Sequence, residues 1–185
     1  GIETDRFLAG KKVPSFNDAI DTAIVNDISN LSNVNNLEDL LTELTDRYQK
    51  LIIENNRLSE ASRLTSASIT DAFSATGNST AMVQKQVSNA VKTLKDYFPT
   101  IYEELAKNNK GILDSLENMA ISDLDTLKQY ADRIVQQLNQ TRNQVREQRN
   151  DLNSFFSDIG YGTKPMIDRG EKYWKSEKQM IEGQM

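Results

Sequence analysis

The strongest constraint in this chain is a row of apolar residues that returns every three or four positions for forty residues. Ala120, Leu124, Leu127, Ala131, Ile134, Leu138, Thr141, Val145, Gln148, Leu152, Phe155 and Ile159 share one face of a helix, and only Thr141 and Gln148 interrupt the apolar character. No Gly or Pro lies between Gly111 and Gly160. The spacing therefore predicts one helix over 112–159, roughly 70 Å long at 1.5 Å per residue.

A second row precedes it: Val34, Leu37, Leu41, Leu44, Tyr48, Leu51, Asn55, Leu58, Ser62, Thr65, Ile69 and Ala72. Within it Leu37, Leu44, Leu51 and Leu58 stand seven apart, a heptad seam. A DNA-binding zipper needs a basic helix just upstream. Residues 20–36 carry no Lys or Arg and two Asp, so that reading fails.

Between the rows, Thr76-Gly77-Asn78-Ser79-Thr80 is a turn with capping residues on its far side. Val83, Val87, Ala90, Val91, Leu94 and Tyr97 then predict a return helix that Pro99 breaks or kinks. Ile101, Tyr102 and Leu105 carry it one or two turns further. Asn108-Asn109-Lys110-Gly111 reads as its stop, with Gly111 in the left-handed cap position. Upstream, Phe16, Ala19, Ile20, Ala23, Ile24, Ile28 and Leu31 form a shorter amphipathic pattern that slips register at Ser32-Asn33.

After Ile159, the segment Gly160 to Pro165 is a loop. A short amphipathic helix follows, with Met166, Ile167, Tyr173, Trp174, Met180 and Ile181 on one side. The expected architecture is all-α: an elongated antiparallel three- or four-helix bundle with coiled-coil-like seams and a short C-terminal helix. Residues 1–15 form an arm, 16–159 one bundle, and 160–185 the loop plus terminal helix. The 185 residues suit one domain, and 8 Gly with 3 Pro is a low content of helix breakers.

Composition narrows the chemistry. With no His and no Cys, thiol nucleophiles, Ser-His-Asp triads, His-based acid–base work, zinc fingers and iron–sulfur sites each lose a required residue. The net charge of −5 gives no overall basic face for phosphates, so nucleic acid is not an expected partner. Acidic pairs occur at Glu38/Asp39 with Glu43, Glu103 with Glu104, and Asp123 with Asp125. They fall off the apolar rows and read as solvated faces rather than metal ligands. Gly160-Tyr161-Gly162-Thr163-Lys164 lacks the spacing of a phosphate loop and follows a helix, so it reads as a linker. No cofactor, metal or small-molecule substrate is expected.

The sequons at Asn30, Asn78 and Asn139 match what an Asn-rich chain produces by chance. No apolar stretch is long enough to span a bilayer, and absence of Cys fits cytosol, periplasm or disulfide-free secretion equally. Gly1-Ile2-Glu3 is neither a signal peptide nor a Met start, which suggests a processed or excised chain.

The candidate interaction residues are of two kinds. Tyr48, Asn55 and Gln148 are polar positions inside otherwise apolar rows, together with Ser62 and Thr141. They either set register within the bundle or line a surface open to a partner. Tyr173, Trp174, Met180 and Ile181, with Lys172, Lys175 and Lys178 nearby, have the makeup of an interfacial helix, diluted by Glu171, Glu177 and Glu182. The alternative is that this helix folds back and buries Trp174. The expectation is a non-enzymatic helical interaction protein that binds a protein partner or itself. A membrane- or lipid-interacting bundle is the alternative. No resemblance to a particular family is apparent, and architecture alone does not give function.

Overall fold

The computed structural model describes residues 37–75 and 77–185. The expected arm, the pattern from Phe16 to Leu31, the slip at Ser32-Asn33, Val34 and the sequon at Asn30 lie outside the described residues. Five helices follow one another: α1 Leu37–Ser74, α2 Thr80–Tyr97, α3 Pro99–Glu117, α4 Leu124–Asp158 and α5 Lys164–Gln184. No strand occurs among the described residues. The fold is an all-α bundle, as the periodicity requires.

The chain divides into two compact units. In the first, the described elements are α1 up to Asn56, α4 from Asn143 and α5. Leu44, Tyr48, Leu51 and Ile52 of α1, Val145, Leu152 and Phe156 of α4, and Met166, Trp174 and Ile181 of α5 are among its buried apolar residues. The second unit spans Arg57–Arg142 and holds the rest of α1 and α4 with α2 and α3. Leu58, Ile69, Val87, Leu94, Leu113, Leu127, Ile134 and Leu138 are among its core residues. Every described α1 row position from Leu44 onward is buried except Asn55, which is half-buried.

Local signals account for most helix ends. Ser79 caps α2 by accepting the Met82 amide at 3.3 Å. Pro99 starts α3 as a first-turn residue, where its missing N–H costs nothing. The helix beyond Pro99 is longer than one or two turns, because α3 continues to Glu117.

Asn109, not Gly111, carries the break in this segment. Asn109 sits at φ −134°, ψ 25° inside α3, and Gly111 is not left-handed. The Asn109 side chain is buried, donates to the Leu105 carbonyl at 3.1 Å and accepts from Arg133 Nε at 3.2 Å. An Asn can hold such a kink because its amide bonds the backbone that the helix leaves unpaired.

The expected helix over 112–159 is also corrected. α3 takes residues up to Glu117, and α4 begins only at Leu124 and is 35 residues long. Ala120 therefore falls in a turn and is exposed. Met119 adopts φ 53°, and the Ala120 and Met119 amides donate to the Ser115 and Leu116 carbonyls. This is a Schellman ending with Met where Gly is usual. Asp123 then caps α4, accepting the Thr126 amide and hydroxyl at 3.3 and 2.7 Å. The Thr126 hydroxyl bond holds the Asp123 carboxyl below its usual range.

The far end of α4 has the same motif with the expected glycine. Gly160 is at φ 68°, and the Tyr161 and Gly160 amides donate to the Phe156 and Ser157 carbonyls at 2.8 and 3.1 Å. Phe156 is fully buried while Phe155, the residue named in the sequence row, is half-buried. The turn after α4 fixes that choice, because Phe156 is the residue whose ring meets Tyr161.

Candidate functional site

The polar residues of the two rows are placed by helix packing. Tyr48 is buried, donates its hydroxyl to Asn153 Oδ1 at 3.2 Å and sets its ring edge-on to Phe156 at 5.7 Å. Ser62 donates to Asn139 Oδ1 at 2.8 Å. Thr141 turns back to the Gln137 carbonyl at 2.9 Å. Gln148 and Asn55 are half-buried, and Asn55 Oδ1 is a buried acceptor with no partner among the described residues. Two of these five positions, Tyr48 and Ser62, therefore bridge one helix to another within a unit.

The α5 residues separate into two faces. Met166, Gly170, Trp174 and Ile181 are buried, with Trp174 8% exposed. Tyr173 is half-buried, and Met180 is 59% exposed. α5 seats on α1 at close range. A Cβ built on Gly170 would lie 2.8 Å from Ile52 Cγ2 and 3.1 Å from Ile52 Cβ, so only glycine allows this approach. One residue earlier, Arg169 Nε donates to Gln49 Oε1 at 3.0 Å.

The α4–α5 turn carries an apolar group in which periodicity singles out Phe155 and Ile159 but not Phe156 or Tyr161. Tyr48, Phe155, Phe156 and Tyr161 make a chain of ring contacts between 5.5 and 5.7 Å, from a buried ring to a surface one. Tyr161 is 42% exposed and Ile159 43%. The signal was present as spacing: Phe156 and Tyr161 stand five apart around Gly160, the two positions whose apolar contact accompanies a Schellman turn.

Among the acidic pairs, Glu38, Asp39, Glu43 and Glu103 are exposed, but Glu104 is 8% exposed, against the expectation of a solvated face. Ile101, Glu104 and Leu105 share one side of α3, and Lys107 Nζ meets the Glu104 carboxylate at 2.6 Å to offset its burial. Among the described residues no three Asp or Glu come together as a metal site. No described helix is long and apolar enough to cross a membrane. In the second unit an open cleft of about 410 Å³ runs between α1 and α2, lined by Ser68, Asp71, Ala75, Gln86, Asn89, Ala90 and Thr93. Its side chains offer hydrogen bonds, with Asp71 as the one charged group.

No family model, no curated protein and no solved structure matches the chain.

Proposed function

We propose that the protein is a non-enzymatic helical interaction protein that binds a protein partner or a second copy of itself. The observation supporting this reading is the apolar group at the α4–α5 turn. Tyr161 and Ile159 stand on the surface, and the buried Phe156 ring braces Tyr161 from below. An aromatic side chain held rigid against a core is the kind of residue that anchors protein interfaces, because little conformational entropy remains to be lost on binding. Light scattering of the wild-type chain and an Ile159→Asp, Tyr161→Asp variant tests it. The reading expects association that the variant loses, with helicity unchanged. A variant that associates as the wild type does removes the surface from consideration.

The second reading is a membrane- or lipid-interacting bundle acting through α5. Exposed Met180 and Met185 favour it. Against it, Trp174 and Ile181 are packed inward, leaving a mixed-charge outer face with Lys164–Asp168 and Lys178–Glu182 pairs. Flotation with anionic liposomes that leaves the protein at the bottom of the gradient removes this alternative.

A further inference from the structure

We infer that Arg142, Arg146 and Arg149 form a docking row on α4 for an acidic segment of a protein partner; this rests on the partner-binding arm of the function proposed above. The three stand four and three residues apart on one helix, so their side chains are neighbours on one face. An asparagine closes the row at each end. Asn139 accepts from Ser62 and Asn153 from Tyr48, which makes this face the shoulder of α4 beside α1. Arg142 and Arg149 are half-buried there, and Arg146 is exposed.

Nothing in the chain answers these charges. Arg63, Arg133 and Arg169 bond Glu60, Asn109 and Gln49, and Arg47 and Arg57 are engaged as well. Among the described residues the side chains of Arg142, Arg146 and Arg149 make no hydrogen bond or ion pair, and Arg142 Nε is buried without an acceptor. The positions three and four residues from each of them hold only Asn, Leu, Val or another Arg of the row. Glu147 and Asp151, the nearest acids of α4, are exposed and belong to the other side of the helix. Like charges at this spacing oppose one another on a helix, so the row costs stability in the free chain. A carboxylate from outside removes that cost, and the planar guanidinium fork matches it with two parallel hydrogen bonds. A short acidic segment fits better than a continuous polyanion. Glu147, Asp151 and the net charge of −5 repel phosphates that run beyond the row.

Fluorescence anisotropy of a labelled helical peptide with Glu at every fourth position, titrated with the chain at low salt, tests the row. Binding is expected that weakens as salt is added and falls about tenfold in an Arg142→Gln, Arg146→Gln, Arg149→Gln variant. A Lys85→Gln, Lys92→Gln, Lys110→Gln variant removes the same charge from exposed positions of α2 and α3 and is expected to bind as the wild type does. No binding by the wild type, or equal loss in the two variants, overturns the row. Labelled single-stranded DNA that binds more tightly than the peptide overturns the choice of an acidic protein. If the arginine variant loses helicity, Arg146→Gln alone decides, because that side chain is exposed and its loss should weaken binding about threefold. A chain that associates through Ile159 and Tyr161 yet ignores the peptide overturns the row and leaves the interaction reading standing.

Discussion

Tyr102 and Glu117 are fifteen positions apart in one run of helix, yet the Tyr102 hydroxyl donates to Glu117 Oε2 at 3.1 Å. In a straight helix their backbones would be about 22 Å apart. The contact exists because α3 folds back at Asn109. Lys95 of α2 completes the cluster, 3.2 Å from the same carboxylate and 5.4 Å over the Tyr102 ring. The Ser88 hydroxyl, also from α2, holds the Glu117 carbonyl at 2.7 Å.

This cluster makes stability depend on pH at the alkaline end. Burial, and then the hydrogen bond and charge of Glu117, raise the Tyr102 hydroxyl from 10 to about 12. The fold therefore favours the neutral phenol. Its contribution is fully present below pH 10 and is lost as pH rises from 10 through 12. Tyr102→Phe is expected to cost about 1 kcal/mol at pH 8. The gap between wild type and variant should close as pH passes 11, read from urea unfolding at each pH. A gap that stays constant through pH 12 would mean that the fold does not favour the neutral phenol.

Asn109 is the pivot of that fold-back, and its two bonds should be measurable separately. Asn109→Ala leaves the Leu105 carbonyl and the Arg133 guanidinium without this partner, an expected loss of about 1–3 kcal/mol. A double-mutant cycle with Arg133→Ala isolates the side-chain bond and should give a coupling of about 0.5 kcal/mol or more. Additive effects would remove the Arg133 bond from the account and leave the Leu105 bond as the side-chain support of the kink.

The two Schellman turns invite opposite substitutions. Met119 holds φ 53° with a Cβ that the left-handed region penalises, so Met119→Gly is expected to stabilise by about 1 kcal/mol. Gly160 holds φ 68° without that penalty, and Gly160→Ala is expected to destabilise by a similar amount. A Cβ on Gly160 meets nothing within 4 Å, so the comparison reads backbone conformation rather than crowding. Thermal unfolding of both variants gives the signs, and like signs would contradict the assignment.

These turns also show what the sequence does and does not reveal. Leucine spacing exposed the α1 row because burial repeats with the helix period, and Leu44 to Ala72 follow it closely. Pro99, Ser79 and Gly160 marked helix ends because each has a backbone property of its own. Met119 has none. It takes the left-handed conformation between the buried Leu116 and Ile121 and ahead of the Asp123 cap, and no local residue type announces it. Asn109 was legible as a break but not as a hydrogen-bonded pivot, since Arg133 lies 24 positions away. The candidate site was partly legible: Trp174 and Tyr48 stood out by type, whereas Tyr161 depends on a ring contact that forms only once α4 has ended.

The seating of α5 can be tested by its one Trp and its two glycines. Trp174 is buried, so its emission should be blue-shifted in buffer and unchanged by liposomes. Gly170→Leu places a side chain where Ile52 Cγ2 already lies 2.8 Å from the first added carbon. The helix must lift, and Trp174 emission should move to the red with a stability loss of about 1–3 kcal/mol. Gly183→Leu is the matched control, because nothing lies within 4 Å of a Cβ there. It lies in the last turn of α5 at an open position and should leave the emission alone, with a stability change of less than about 1 kcal/mol. If both variants shift the emission equally, the effect belongs to helix propensity and the Gly170–Ile52 contact does not hold α5 in place. If liposomes shift the wild-type spectrum, α5 leaves its seat for lipid, and the membrane reading takes precedence.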